Sequence, residues 1–375
     1  MHPKFQHLMQ QATRLTQSGN LAAATAAIQA ALQRGAPVSS TRQDETEVID
    51  VEAWEIPEPT AESRTDTAAA EASTPTNLPP TTGDVFMSGF FRSSRGQRDY
   101  KLYVPPHAGD RPMPLVVMLH GCTQDADDFA AGTAMNEAAR EQGFYVLYPI
   151  QPRQSNPQKC WNWFKHNHQQ QGRGEPEILA GMTRAAMQAY AIDSQRVYVA
   201  GLSAGGAMAA ILASAYPELY AAACVHSGLA PGVASDLPSA LSAMKGKGTP
   251  PIVQAGSGVP TIVFHGDRDT TVHPINAEGV IKASVGATAQ PITQRMPGIG
   301  AKRNSTKYLY SNAAGDVIAE RWVIHGAGHA WSGGTDQGSY TDGTGPDATA
   351  ETLRFFFERS LGGANPPQTA SPRPR

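Results

Sequence analysis

Gly201-Leu202-Ser203-Ala204-Gly205 is the first place in this chain where residue types and spacing suggest chemistry. The apolar run QRVYVA leads into it and an alanine-rich stretch follows, so Ser203 falls on a strand-to-helix turn. Such a turn strains the serine's backbone, and only small neighbours tolerate it. Gly201, Ala204, Gly205 and Gly206 are all small. The helix that follows would aim free N–H groups at a developing oxyanion. The chemistry in prospect is acyl transfer by an activated hydroxyl, which needs a base and an acid to orient that base. A Gly-x-Ser-x-Gly pentapeptide also arises by chance as a glycine-rich turn with an idle serine. The strand before it and the helix after it favour the nucleophile.

Two aspartates, Asp267 and Asp269, follow the apolar run VPTIVFHG and compete for the role of acid. If the chain order is Ser, acid, His, three bases follow them: His273, His325 and His329. His273 is too close to the acid's own turn. His325 ends a strand and suits a packed structural role. His329 lies in Gly326-Ala327-Gly328-His329-Ala330-Trp331, a loop before the last helix that lets a base reach both partners. The second oxyanion donor is expected from the loop after the first strong parallel strand, His120-Gly121-Cys122. The backbone N–H groups of Cys122 and Ala204 are therefore the expected pair, with His120 as a structural hydrogen-bonding residue.

The elements that must position these residues are legible as alternation. Apolar, β-rich runs cover 114–121, 143–150, 195–203, 220–227 and 259–266, and helical patterns cover 126–141, 177–191, 204–216, 235–245 and 275–285. Continuous apolar strands each followed by a helix imply a parallel sheet covered on both faces. Strands over 85–91 and 100–104 would make an antiparallel edge. A pair over 307–311 and 317–324, separated by Asn312-Ala313-Ala314-Gly315-Asp316, suits a hairpin. A final helix is expected over 348–361.

The rest of the 375-residue chain has a different texture. Residues 35–84 carry eleven acids against Arg42 and Arg64, among many Pro, Thr, Ala and Ser. Such a segment cannot bury enough surface to offset its ordering entropy, so it is expected as a disordered, self-repelling linker. Residues 1–34 show two helical patterns broken at Ser18-Gly19-Asn20, which predicts a small hairpin, with docking to a partner or to an apolar granule surface as its sharper role. Residues 362–375 are expected as a disordered tail. The catalytic domain is thus 85–361, with 22 acids and 23 bases. The chain's formal charge of −3 therefore reflects the linker, and nothing in it suggests nucleic-acid binding. Three cysteines exclude a disulfide-dense scaffold and a four-cysteine zinc site. No stretch approaches a membrane span, and the Met1 end lacks a secretory signature, so a cytoplasmic location is expected, with an extracellular one as the alternative.

Six motifs in order, HGCTQDADDFAAGTAMNEAAREQGFYVLYPIQ, CWNWF, RGEPEILAGM, RVYVAGLSAGGAM, FHGDRDTTV and GHAWSGG, resemble the polyhydroxybutyrate depolymerase family of esterases, whose relatives include feruloyl and acetylxylan esterases. The resemblance covers about residues 85–361. It implies an α/β-hydrolase fold and a Ser-His-Asp mechanism without metal or cofactor, acting on carboxylic esters. The turn HGDRDTTV is similar to the α/β-hydrolase pattern H-G-x-x-D-x-x-V, which selects Asp269 over Asp267. Carried over residue by residue, the resemblance supports Ser203, Asp269 and His329, with Cys122 at the oxyanion hole. It also implies a Cys122–Cys160 disulfide where the compartment is oxidising. The implied substrates are hydroxyalkanoate oligomers or other short-chain esters, with polysaccharide feruloyl or acetyl esters as the alternative. Trp331 is the expected cleft wall, Trp161 a further apolar contact, and Gln124 or the Asn162 amide a polar one. Trp163 and Phe164 are expected to fill their own loop, and Cys224 to be a buried small hydrophobe.

Overall fold

The computed structural model describes residues 83–94, 96–248, 258–286 and 290–362. The predicted N-terminal hairpin, the acidic linker through residue 82 and the tail from 363 lie outside the described residues.

Strands β1 (Val85–Ser93) and β2 (Gly96–Val104) form an antiparallel hairpin. Then follow β3 (Met113–Leu119), α1 (Ala126–Thr133), α2 (Met135–Gln142), β4 (Tyr145–Pro149), α3 (Gly174–Ala189), β5 (Ile192–Leu202), α4 (Ala204–Ala215), β6 (Ala222–His226), α5 (Leu237–Met244), β7 (Thr261–Gly266) and α6 (Asn276–Val285). The chain continues through β8 (Ile292–Met296), β9 (Ser305–Ser311), β10 (Val317–Ile324), two short strands β11 (Trp331–Ser332) and β12 (Thr341–Asp342), and α7 (Ala348–Phe357). Ten strands make one sheet in the order β1-β2-β4-β3-β5-β6-β7-β10-β9-β8. The six central strands, β4 through β10, run parallel, and antiparallel pairs close both edges.

The parallel strands read as unbroken apolar runs because both of their faces are covered. In β3, Leu115, Val117 and Leu119 enter one core cluster while Val116 and Met118 enter the cluster on the opposite face. Alternation of side chains along a strand then has no solvent side to report. Helix α4 is buried nearly all round, and its small residues let it lie close against the sheet. Among the described residues no helix is long and apolar enough to cross a membrane.

Three elements differ from the sequence reading. The helix expected over 126–141 is two helices, broken at Ala134, whose φ of 51° is left-handed. The Thr133 carbonyl accepts a 2.7 Å bond from the Thr349 hydroxyl of α7, so it is engaged outside the helix at the point where the ladder breaks. Strand β8, Ile292–Met296, lacks an apolar face to betray it, since it is an edge strand with four of its five residues exposed. The two-residue strands β11 and β12 are too short to carry a period.

Candidate active site

Ser203 stands between β5 and α4 with φ 58° and ψ −117°. The strained turn is held by close packing. A Cβ on Gly205 would lie 2.0 Å from the Leu119 carbonyl oxygen, so only glycine lets α4 start against the end of β3. The Ser203 N–H donates to the His226 carbonyl at 2.9 Å, tying the elbow to the neighbouring strand end. The N–H groups of Cys122 and Ala204 donate to no other group among the described residues, which leaves both available to an oxyanion.

Asp269 lies just beyond β7 and His329 just beyond β10, the parallel neighbour of β7. Gly266 brings the two loops together, for a Cβ there would fall 2.3 Å from the Ala327 carbonyl oxygen. His329 Nδ1 donates to Asp269 Oδ2 at 2.7 Å, so Nε2 is the unprotonated nitrogen, able to take a proton. Asp269 is buried and its carboxylate is fully engaged. Oδ1 accepts from the backbone of Thr271 and Val272, both at 2.9 Å, and His265 Nε2 lies 3.3 Å from Oδ2. Burial alone would raise this carboxyl, but the bonds from His265, His329 and Val272 outweigh it and hold the group well below the usual range.

The competing residues are placed elsewhere. Asp267 pairs with His325, Nδ1 to Oδ2 at 3.0 Å, and its other oxygen accepts from the Gly326 N–H at 2.7 Å. It therefore ties the β7 turn to the end of β10. His325 is exposed, not packed, with the Thr306 hydroxyl on its Nε2. His273 is exposed at the start of α6, where its Nδ1 accepts from the Ile275 N–H. His120 is structural as expected. It is fully buried, accepts from the Gln151 N–H at Nε2, and burial lowers it to about 4.

The expected substrate contacts are corrected. Trp331 is buried to 1% exposure, stacked on His226 and set edge-on to Phe129, with Nε1 bound to the Thr349 hydroxyl. The chain turns into β11 two residues after His329 and carries the indole into the core. Trp161 is wholly buried and donates to the His120 carbonyl. Gln124 is buried, with Oε1 on the Gly121 N–H and Nε2 shared between Asp128 and Ser339. Its amide shapes the oxyanion loop and is not turned to a substrate. The Asn162 amide is likewise consumed, chiefly by Glu175. Trp163 and Phe164 fill their loop edge to face, as expected. Cys122 and Cys160 form a disulfide, and Cys224 is a buried thiol pushed up to about 12 by burial.

Sequence reasoning missed His265 and His226. His265 supports Asp269. His226 is fully buried beside the catalytic loop, where Nε2 accepts from the Ser332 N–H at 3.0 Å. Burial, and then the neighbouring His265 and His329, lower it to about 3, so it is a neutral support. One signal was available: three central strands carry a histidine at or next to their last residue, MLH, CVH and VFH, at the carboxyl edge where sites in such sheets gather.

A parallel sheet of this order, with a strained serine after β5 and an Asp–His pair on the loops after β7 and β10, defines an α/β-hydrolase. Within that class, the chain belongs to the Esterase PHB depolymerase family, whose model matches residues 98–285. It is 33% identical over 232 residues to poly(3-hydroxyalkanoate) depolymerase C of Paucimonas lemoignei, covering 58% of this chain and 54% of that protein. It is also 30% identical over 216 residues to feruloyl esterase B of Thermothelomyces thermophilus, covering 53% of this chain and 73% of that one. The chain thus spans about half the length of the depolymerase. Among solved structures, acetyl xylan esterase from Aspergillus awamori shares the fold with a TM-score of 0.56 at 20% identity, over 73% of this chain and 98% of that one.

Proposed function

We propose that this chain is a serine esterase that hydrolyses hydroxyalkanoate oligomers or other short-chain carboxylic esters through an acyl-enzyme. The observation that carries the reading is the 2.7 Å bond from His329 Nδ1 to a buried Asp269 carboxylate, on the loops after β7 and β10 of the same sheet in which β5 ends at the strained Ser203 elbow. His329 Nε2 takes the Ser203 proton as Oγ attacks the ester carbonyl. The N–H groups of Cys122 and Ala204 hold the negative oxygen. The alcohol leaves with the proton from His329. Water, deprotonated by the same nitrogen, then releases the acid and frees Ser203. Asp269 keeps His329 in the required tautomer and stabilises its imidazolium form throughout.

Ser203→Ala is expected to lower hydrolysis of a p-nitrophenyl short-chain ester by several orders of magnitude, roughly 10⁴-fold or more, in a protein that stays folded. Full rate in the folded variant would end the proposal. Hydroxybutyrate oligomers are expected to outrun methyl ferulate in the same assay. The reverse order would move the substrate to the feruloyl-type alternative, which the 30% identity to a feruloyl esterase supports.

The Cys122–Cys160 bond supports an oxidising working compartment over the cytoplasmic one expected from the sequence. Alkylation of unreduced protein taken from its native cells is expected to leave both residues unmodified. Two labelled thiols would restore the cytoplasmic reading.

A further inference from the structure

Behind the oxyanion loop lies a buried carboxylate that the mechanism does not use. Glu175, in the first turn of α3, is 2% exposed. Its Oε1 accepts from Gln151 Nε2 and Asn162 Nδ2, both at 2.6 Å, and its Oε2 accepts from the Asn162 backbone N–H at 2.7 Å. His168 Nδ1 and Arg98 Nη2 stand farther off, at 3.6 and 3.8 Å. Burial would raise this carboxyl, but the neighbouring His168 and the hydrogen bonds from Gln151 and Asn162 outweigh it and hold it below the usual range.

Two routes lead from this anion to Cys122. The first runs through Asn162 along the chain to Cys160, and across the disulfide to Cys122. The second runs through Gln151. Its Nε2 also donates to the Cys160 carbonyl at 3.0 Å, and its backbone N–H donates to His120 Nε2 at 3.2 Å, two residues before Cys122. Trp161 Nε1 closes the loop on the His120 carbonyl at 3.1 Å. The orientation of the Gln151 amide is telling. Its Oε1 is buried without a partner, a costly arrangement. Turning the amide over would place that oxygen against the Glu175 carboxylate, so the anion dictates which way it faces.

We propose that Glu175 is a positioning residue for the oxyanion hole, fixing through Asn162 and Gln151 the two segments that hold the Cys122 N–H in place. The proposal rests on the serine-esterase reading above. In Glu175→Gln one carboxylate oxygen becomes an NH2 group, so a donor meets a donor on one arm whichever way the amide turns. An oxyanion donor is worth roughly 10²–10³ in rate, and a displaced one should cost less.

The expected result for Glu175→Gln, on the oxidised full chain with a p-nitrophenyl short-chain ester, is a kcat lower by about 10- to 100-fold. KM should stay within about twofold, and the acid limb of the kcat/KM profile, which reports the base, should not move. Glu175→Asp, which keeps the charge, should recover part of the loss. A folded Glu175→Gln enzyme with wild-type kcat overturns the proposal, as does a loss accompanied by a displaced acid limb. If Glu175→Gln does not fold, Gln151→Met decides, since it cuts the second route alone, and wild-type kcat there is equally fatal. Ser203→Ala run alongside separates the two readings. Full rate in it removes the serine mechanism and this proposal together, whereas its inactivity beside a fully active Glu175→Gln removes only this one.

Discussion

Asp269 shows what a single side chain must supply here. An isolated buried carboxylate is unfavourable, and this one accepts from two backbone N–H groups and lies beside two imidazoles. His265 shares its Nε2 proton between the Val272 carbonyl at 2.8 Å and Asp269 Oδ2 at 3.3 Å. A hydrogen bond to a charged group is worth about 1.5–3 kcal/mol, and about 1.4 kcal/mol is tenfold in rate. His265→Ala should therefore lower kcat for a p-nitrophenyl ester about tenfold with KM little changed. An unchanged kcat would show that the remaining donors suffice. His329 was legible in the sequence from its strand-end loop, whereas Asp269 was separated from Asp267 only by the resemblance of HGDRDTTV to the α/β-hydrolase turn. Trp331, Trp161 and Gln124 were misread for one reason. Closeness in sequence to a reactive residue does not say which way a side chain turns, and each of these turns inward to satisfy a polar atom or fill the core.

At the scale of elements, the sequence was most legible where burial is complete. The five apolar runs became β3 to β7, and the loop from Asn312 to Asp316 became the β9–β10 turn. Legibility failed where a local pattern was overridden from a distance. The break at Ala134 depends on Thr349, more than two hundred residues away, and no window on the 126–141 segment contains it. Strand β8 exists because β9 offers it an edge to pair with, not because of its own composition. The Cys122–Cys160 bond is of the same kind. The resemblance suggested it, but the segment it anchors is ordered by Glu175, whose burial nothing in RGEPEI discloses.

For the molecule as a whole, burying neutral histidines has a cost that depends on pH. His120 and His226, at about 4 and about 3, lie below the ordinary 6.5 of an unfolded chain. Between those values the unfolded state binds more protons, so their contribution is present above pH 6.5 and is lost as pH falls toward the folded values. Each ring contributes a slope of up to ~1.4 kcal/mol per pH unit in that window. Asp269 acts with the same sign lower down, its stabilisation fading as pH falls below the ordinary 3.8. Urea unfolding followed from pH 7 to pH 4.5 should show stability falling well before any carboxylate titrates. A flat profile would mean that the two rings take up protons inside the fold.

The order of the strands carries one more consequence, for a chain still being made. Ser203 and Asp269 are complete once β7 and its turn have formed, yet the strand that pairs with β7 on its far side is β10, with β8 and β9 translated in between. His329 arrives after all of them. On the proposed mechanism, a ribosome-bound chain holds its nucleophile for more than a hundred residues of synthesis before it can use it, and the docking of β10 is the event that arms the enzyme.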